Sequence, residues 1–442
     1  MRSLEDISSA ISQAGGKPVL VGGCVRDRLM GRDSKDFDIE VYGLDLGSLE
    51  SVLNQLGSVH AVGKSFGVFK LFNFDISLPR TENKQGAGHK GFVVQSDPSL
   101  TFEQASKRRD FTVNAMGIDL ATGELLDPHG GQNDLKTLTL KHVSDAFDED
   151  PLRVLRACQF AARLEFSIHP DTLTKCHNLL PELKTLPKER IGEEFKKLLM
   201  ANKPSIGLQA LLDTRALGLF PELEALIGCQ QDPKWHPEGD VWIHTLMVVD
   251  QAARISDQLL IRLGALCHDL GKPPTTKFED GRWRSKNHEA AGVPPTQQFL
   301  QRLAIAQDLI NEITPLVQDH LKPCQLYNVR DQVSDAAIKR LATRVNIENL
   351  CLVAEADFLG RTTEEALAGH DPSTAWLREQ AARLAVTNKP LEALLQGRHL
   401  LDLGMHAGPA MGRLLKKAYE AQIEGEFETL EDALDWVKQH HA

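Results

Sequence analysis

The sequence has no apolar stretch near the roughly 20 residues that a membrane helix needs. Its first residues also lack the apolar core of a signal peptide. Its seven cysteines among 442 residues are odd in number, scattered and without C-x-x-C spacing. That argues against a disulfide framework and for reduced thiols in a cytosol. No internal repeat or low-complexity tract is present, which excludes solenoid and repeat architectures. Basic residues are not in excess: 50 Lys and Arg stand against 61 Asp and Glu, a net charge of -11. A protein coated in positive charge is therefore excluded, and a nucleic-acid partner would need the cations gathered on one face. What remains, 42% hydrophobic and 25% charged residues, is ordinary for a globular protein. A chain of this length divides into two to four domains.

The most informative stretch is residues 19–41, V-L-V-G-G-C-V-R-D-R-L-M-G-R-D-S-K-D-F-D-I-E-V. Three apolar residues read as a short buried strand. Gly22 and Gly23 follow, and without a Cβ they allow a tight turn and close approach of a ligand. Residues 24–30 read as one or two helical turns ended by Gly31. The first N–H groups of that helix are a ready phosphate site. Then Asp36-Phe37-Asp38-Ile39-Glu40-Val41 alternates strictly. On a strand the three carboxylates share one face and the apolar residues the other. Adjacent carboxylates repel. Mg²⁺, which takes carboxylate and phosphate oxygens, accounts for keeping them together. An exposed edge-strand face is the alternative.

A glycine pair, about a dozen residues and an Asp-x-Asp strand resemble the signature of the polymerase-β-like nucleotidyltransferases. The narrower form G-G-x-V-R-D, at residues 22–27, resembles the class II tRNA nucleotidyltransferases (CCA-adding enzymes) and the bacterial poly(A) polymerases. Further motifs follow in that family's order. K-R-R-D-F-T-V-N-A at residues 107–115 is similar to the ribose-recognition motif, in which Asp110 discriminates the 2′-OH. D-P-H-G-G at residues 127–131 matches a glycine-containing connector. E-D-P-L-R-V-L-R at residues 149–156 begins a helix, with Asp150 at its N-cap and Pro151 in its first turn. Arg153, Arg156, Phe160 and Arg163 fall on one side of it. A carboxylate and a guanidinium together present the planar acceptors and donors that a Watson–Crick edge requires. E-R-I-G-E-E-F-K-K-L at residues 189–198 resembles the neck helix.

The resemblance implies Asp36 and Asp38 as catalytic Mg²⁺ ligands. It implies Gly22, Gly23, Arg26, Asp27, Arg108, Arg109, Asp110, Asn114, Glu149, Asp150, Arg153 and Arg156 as nucleotide-binding residues. Glu149, Asp150 and Arg153 would read the base. Asp75, on a following strand, is either a third active-site carboxylate or a solvated residue. Residues 80–91, R-T-E-N-K-Q-G-A-G-H-K-G, read as a mobile loop whose Arg80, Lys84 and Lys90 either clamp an anion or lie on the surface. Helices are expected over residues 3–15, with Ser3 and Asp6 as a capping box, over 46–56 ended by Gly57, and over 203–228. Residues 59–78 read as strands.

A second constellation follows K-W-H-P at residues 234–237. His244 stands on a helix from about Asp240. Ser256 caps another that carries His268-Asp269 near its end, stopped by Gly271 and Pro273-Pro274. Imidazoles and carboxylates around divalent metals suit hydrolysis of phosphate esters. Lys272 offers a phosphate ligand. The surroundings resemble the C-terminal region of multifunctional CCA proteins, whose HD domain hydrolyses 2′,3′-cyclic and 2′- or 3′-phosphates. The resemblance implies metal ligation by His244, His268, Asp269 and Asp357. Asp331 and Asp335 compete for the closing position, and His288 and His320 either join the site or lie on the surface. The segment 273–288 departs from the form usual in that subgroup. Residues 371–442 read as helical and mostly acidic.

The expected fold class is α+β: a polymerase-β-like nucleotidyltransferase head (1–140), an all-α neck and body (141–228), an α-helical HD domain (229–370) and a helical tail (371–442). The expected function is template-independent addition of CCA to tRNA from CTP and ATP by two-metal nucleotidyl transfer, alongside HD-domain phosphatase or 2′,3′-cyclic phosphodiesterase activity. Poly(A) synthesis, or addition of CC or A only, is the alternative within the class. An HD metal phosphohydrolase with a non-catalytic transferase domain is the alternative outside it. The expected cofactors are Mg²⁺ and, in the HD domain, a second divalent transition metal such as Ni²⁺ or Mn²⁺. The expected partners are the tRNA acceptor arm and the two nucleotides, with no membrane. The protein is expected to be cytoplasmic and a monomer or homodimer.

Overall fold

The computed structural model describes residues 3–34, 36–62, 68–84 and 92–440. Its contacts divide the chain into two compact units: Met1–Leu198 with Ile206–Leu219, and Leu199–Ser205 with Phe220–Ala442. The fold is α+β in the first unit and almost wholly helical in the second. No helix among the described residues is long and apolar enough to cross a membrane.

The first unit opens with α1 (Leu4–Gln13), started by the capping box of Ser3 and Asp6. Then come β1 (Lys17–Val21), α2 (Gly23–Leu29), β2 (Phe37–Tyr42) and α3 (Leu46–Leu56), the last ended at Gly57. Strands β3 (His60–Val62), β4 (Val68–Leu71), β5 (Phe74–Ser77), β8 (Gly117–Asp119) and β9 (Leu125–Leu126) complete one seven-stranded sheet in the order β3-β4-β5-β2-β1-β8-β9. Its core gathers Ile7 and Ile11 of α1, Leu49 and Leu53 of α3, and the inward residues Leu20, Ile39, Phe69 and Ile76. The β1–β2 register sets Val21 opposite Asp38. The parallel β2–β5 register sets Asp38 beside Asp75. Strand pairing thus brings the glycine turn after Val21 next to the carboxylates of β2.

The first five residues of the loop expected over 80–91 are a strand, β6 (Arg80–Lys84), paired antiparallel with β7 (Phe92–Ser96). The polar composition of R-T-E-N-K hides it. The strand exists because β7 supplies a backbone partner, and the sequence of β6 alone does not reveal that. Residues 85–91, including Lys90, lie outside the described residues.

Short helix α4 (Phe102–Ser106) leads to the R-R-D segment, and α5 (Gly131–Lys136) follows the connector. Strands β10 (Thr139–Leu140) and β11 (Ser167–Ile168) pair in parallel around α6 (Leu152–Leu164). Pro151 is the cap of α6, while Asp150 accepts the N–H of Leu152 at 3.1 Å. Helices α7 (Pro170–Leu183), α8 (Lys188–Leu199) and α9 (Pro204–Asp213) follow, then a 3-10 turn and a four-residue helix to Glu224. Helix is therefore interrupted within 203–228.

In the second unit, helices Val241–Ile255, Leu259–Cys267, Gln307–Asp319 and Ile347–Leu359 pack together. Gln258 caps the second of these. Ser256 stands two residues earlier and accepts the N–H of Gln258. Prolines 273 and 274 open a short helix, Lys272–Thr275, instead of ending one, because proline suits a first helical turn. A hairpin of β12 (Thr276–Glu279) and β13 (Arg282–Ser285) follows.

Candidate functional sites

In the first unit a cavity of about 560 Å³ opens over β2, α2 and α6, a size suited to a small organic ligand. Seven arginines and five aspartates line it. In a chain of charge -11, this net-positive concavity selects an anion.

The turn at Gly22 positions it. Gly22 has φ +81. A Cβ there would lie 3.1 Å from Arg109 Nη1 and 3.5 Å from Asp38 Oδ2. Glycine turn, carboxylate and R-R-D arginine therefore converge. Asp36 and Asp38 are both exposed and both line the cavity. The Asp38 carboxyl is raised above the ordinary carboxylate range. Surrounding protein atoms are the main cause, and Asp75, Glu40 and Asp36 add repulsion against the opposing pull of Arg109. A carboxylate among carboxylates gains most from a cation.

Glu40, two residues on, meets a different environment. Its side chain is buried. Oε1 accepts from Arg109 Nη2 at 2.9 Å and Arg108 Nη2 at 3.0 Å, and Oε2 accepts from the Tyr42 hydroxyl at 2.8 Å. Burial pushes Glu40 up, but Arg109 and Arg108 outweigh it and hold the carboxyl below its usual range. Glu40 thus anchors both arginines at the cavity wall.

Asp110 is buried and nearly saturated as an acceptor. Oδ1 takes the Phe111 N–H (2.8 Å) and Asn114 Nδ2 (3.1 Å), and Oδ2 takes Arg156 Nε (2.9 Å) and Nη2 (2.5 Å). Burial would raise its carboxyl, and Arg156 more than offsets this, so it lies below the ordinary value. Arg26 is buried. It bonds Asp27 through Nε and Nη2 and Asn114 through Nη1, and it stacks at 5.5 Å over Phe160. Arg156 lies 5.3 Å from the same ring. Arg153 donates to the carbonyls of Ala146 and Arg108, holding the R-R-D backbone against α6. Asp150 lines the cavity beside Arg190 of α8, 3.1 Å away. Glu149 does not line it. Arg190 and the anchoring role of Glu40 escape motif reading, because each depends on a partner distant in sequence. Asp75 pairs with Lys70 at 3.6 Å.

The second unit holds a buried cluster of His244, His268, Asp269, His288, His320 and Asp357. Asp357 lies 3.0 Å from His244 Nε2. Of its competitors, Asp331 is exposed and Asp335 pairs with Arg383. His288 and His320 are inside the cluster, not on the surface. His268, His288 and His320 each turn Nδ1 to a backbone carbonyl, of Ala265 (2.7 Å), Ser285 (2.9 Å) and Val317 (2.7 Å). That leaves each Nε2 facing inward as a lone pair. His288 Nε2 and His320 Nε2 then stand 3.3 Å apart, two acceptors that repel unless a cation lies between them. Both Asp269 oxygens and His268 Nε2 are buried without hydrogen-bond geometry to any described residue. The donor set fits a divalent metal.

The electrostatics agree. Burial, with His288 and His268 nearby, pushes His320 down to about 3. His268, Lys272 and His288 outweigh burial to hold Asp269 well below the carboxylate range, and Arg361 and His244 do the same for Asp357. His268 is the exception: burial lowers it, but Asp269 raises it more. Lys272 lies 2.7 Å from Asp269 and 2.6 Å from Gln231 Oε1. Glu238, missed by sequence reasoning, approaches His244 Nδ1 at 2.8 Å and His236 Nδ1 at 2.9 Å. Only its position two residues past His236 signals it.

Comparison with known proteins follows the same division. Residues 19–141 match the poly A polymerase head domain, 165–227 a probable RNA and SrmB-binding site of polymerase A, and 241–361 the HD domain. A multifunctional CCA protein of Xylella fastidiosa (strain 9a5c) is 39% identical over 388 residues, 85% of this chain and 91% of the relative. One from Xanthomonas campestris pv. campestris (strain B100) is 40% identical over 391 residues, 85% and 93%. The fold is similar to that of a Bacillus stearothermophilus CCA-adding enzyme in complex with CTP (TM-score 0.70, 22% identity, 99% of this chain and 96% of that one). It is also similar to a Thermotoga maritima CCA-adding enzyme complexed with tRNA (TM-score 0.59, 20% identity, 99% and 94%).

Proposed function

The chain belongs to the multifunctional CCA protein family, and from that premise we propose that it adds C, C and A to tRNA 3′ ends from CTP and ATP without a template. The convergence of Gly22, Asp38 and Arg109 on one net-positive cavity carries the reading. The acceptor arm of tRNA and the nucleotide meet there.

Asp36 and Asp38 hold Mg²⁺, which supplies the chemistry of lowering the RNA hydroxyl's pKa and steadying the triphosphate. Gly22 and Gly23 let the phosphates approach the backbone, and Arg108 and Arg109, set by Glu40, neutralise them. Arg26, with its donors on Asp27 and Asn114, stiffens α2 beneath them. Asp110 tests the ribose hydroxyl, a task that requires one of its present hydrogen bonds to be shared. Asp150 and Arg153 read the base edge, with Glu149 beside them on the chain. We divide the chain accordingly into a head (1–140), neck and body (141–228), HD domain (229–370) and tail (371–442).

The paired Nε2 lone pairs of His288 and His320 favour a second activity in the same chain. His244, His268, Asp269 and Asp357 hold a divalent transition metal such as Ni²⁺ or Mn²⁺, and Lys272 orients the phosphate of a 2′,3′-cyclic or terminal phosphoester for hydrolysis.

A tRNA-extension assay tests the first activity, and phosphate release from a 2′,3′-cyclic or terminal phosphoester tests the second. The protein is incubated with tRNA ending at the discriminator base, at C or at CC, with each nucleotide alone and with both, and product lengths are read. Wild type extends each to CCA and stops. Asp38→Ala ends incorporation of both nucleotides, and retained activity would overturn the assignment. His268→Ala spares incorporation and removes phosphoester hydrolysis.

A further inference from the structure

Residues 276–285 fold as the hairpin of β12 and β13. We propose that this hairpin is a stacking platform for the unpaired 3′-terminal bases of an RNA whose terminal phosphate enters the His–Asp centre. The inference rests on reading that centre as a phosphohydrolase.

Asp280 and Gly281 join the strands with φ of +50 and +76, a two-residue turn that matches the strand twist. Phe278 stands opposite Trp283, with ring centroids 5.2 Å apart at 67°. Phe278 is 61% exposed, so packing does not account for it. Cations project from the opposite face of the same two strands. Lys286 bonds Glu279 and Arg284 bonds Asp280, while Lys277 and Arg282 are exposed and form no ion pair among the described residues. Rings on one face of a two-stranded hairpin, with long free cations on the adjacent positions of the other, suit a flexible single strand: bases stack on the rings while phosphates meet the cations at the strand edges.

The hairpin is built onto the buried centre at both ends. Thr276 donates to the carbonyl of Lys272 at 2.7 Å, and Lys272 pairs with Asp269 at 2.7 Å. The Ser285 carbonyl accepts from His288 Nδ1, and the hydroxyls of Thr276 and Ser285 meet at 2.7 Å. Strand alternation puts Thr276, Phe278, Trp283 and Ser285 on one face. The aromatic pair lies two residues, about 7 Å, beyond its anchors, the scale of one nucleotide. A small phosphoester would leave both rings unused, whereas the end of an RNA strand reaches them.

The test uses the full-length protein and a short oligoribonucleotide that ends in a 2′,3′-cyclic phosphate and carries 4-thiouridine beside that end. Ultraviolet crosslinks, mapped by mass spectrometry, are expected on residues 276–286. Phe278→Ala and Trp283→Ala each lower hydrolysis of this probe about tenfold relative to glycerol 2-phosphate, which has no base. Trp283→Phe restores it, and Lys277→Ala with Arg282→Ala flattens the salt dependence of binding. Crosslinks only elsewhere, with an unchanged substrate ratio, overturn the platform and spare the phosphohydrolase. Crosslinks on the hairpin without hydrolysis of either substrate refute the phosphohydrolase and support the platform.

Discussion

Replacing Glu40 with Gln removes one buried charge and little else. The amide oxygen still accepts from Arg108 and Arg109, and the Tyr42 hydroxyl can turn to accept from the new NH₂. What disappears is the attraction of one carboxylate for two guanidiniums at 2.9 and 3.0 Å. At an effective dielectric of about 20, each such pair is worth about 5–6 kcal/mol before desolvation. Breaking a buried pair costs about 3–5 kcal/mol net. The arginine side chains keep 16% and 20% exposure and can rehydrate, which favours the lower figure, about 3 kcal/mol. For a unit of this size that shifts the midpoint by about 6–12 °C.

The protein carries its own control. All five tryptophans, at 235, 242, 283, 376 and 436, lie in the second unit, so their fluorescence reports that unit alone while far-ultraviolet circular dichroism reports both. Glu40→Gln should lower a dichroism transition and leave the tryptophan transition unmoved. The sign with pH follows from the depressed carboxyl. Its stabilisation is complete above the unfolded value of about 4.3 and is lost as pH falls through the lower folded value. Wild type and variant therefore converge in acid. A shift below about 1 °C, or equal movement of both transitions, refutes the reasoning.

Other outcomes follow from single contacts. At Gly271 a Cβ would meet the His288 carbonyl oxygen at 1.9 Å and Gly292 N at 2.5 Å. Both are backbone atoms that cannot yield, so Gly271→Ala should destabilise by at least about 3 kcal/mol, read as a lowered tryptophan transition. Asp110→Ala removes the proposed ribose check and frees Arg156. The ratio of CTP to dCTP incorporation should fall by roughly tenfold or more, and an unchanged ratio would show that Asp110 serves only structure.

Short-range signals were legible before any coordinates. Ser3 and Asp6 announce the start of α1, and the spacing of 46–56 with Gly57 at its end announces α3, because capping and periodicity act within one or two turns. The transferase motifs are equally compact, so the α+β head and the helical remainder can be read from them. Strand β6 could not be read this way, since its pairing depends on β7.

The sequence by itself determined which side chains share a face: Asp38 and Glu40 alternate out of one strand, with Asp36 one residue before its start. Tertiary structure alone decided their fates. It leaves Asp38 open to the cavity and buries Glu40 under Arg108 and Arg109, 68 and 69 residues away. It likewise selected Asp357 over Asp331 and Asp335, and recruited Glu238 and Arg190. Alternation is local geometry, whereas burial and charge pairing are properties of the assembled neighbourhood, which no window along the chain contains.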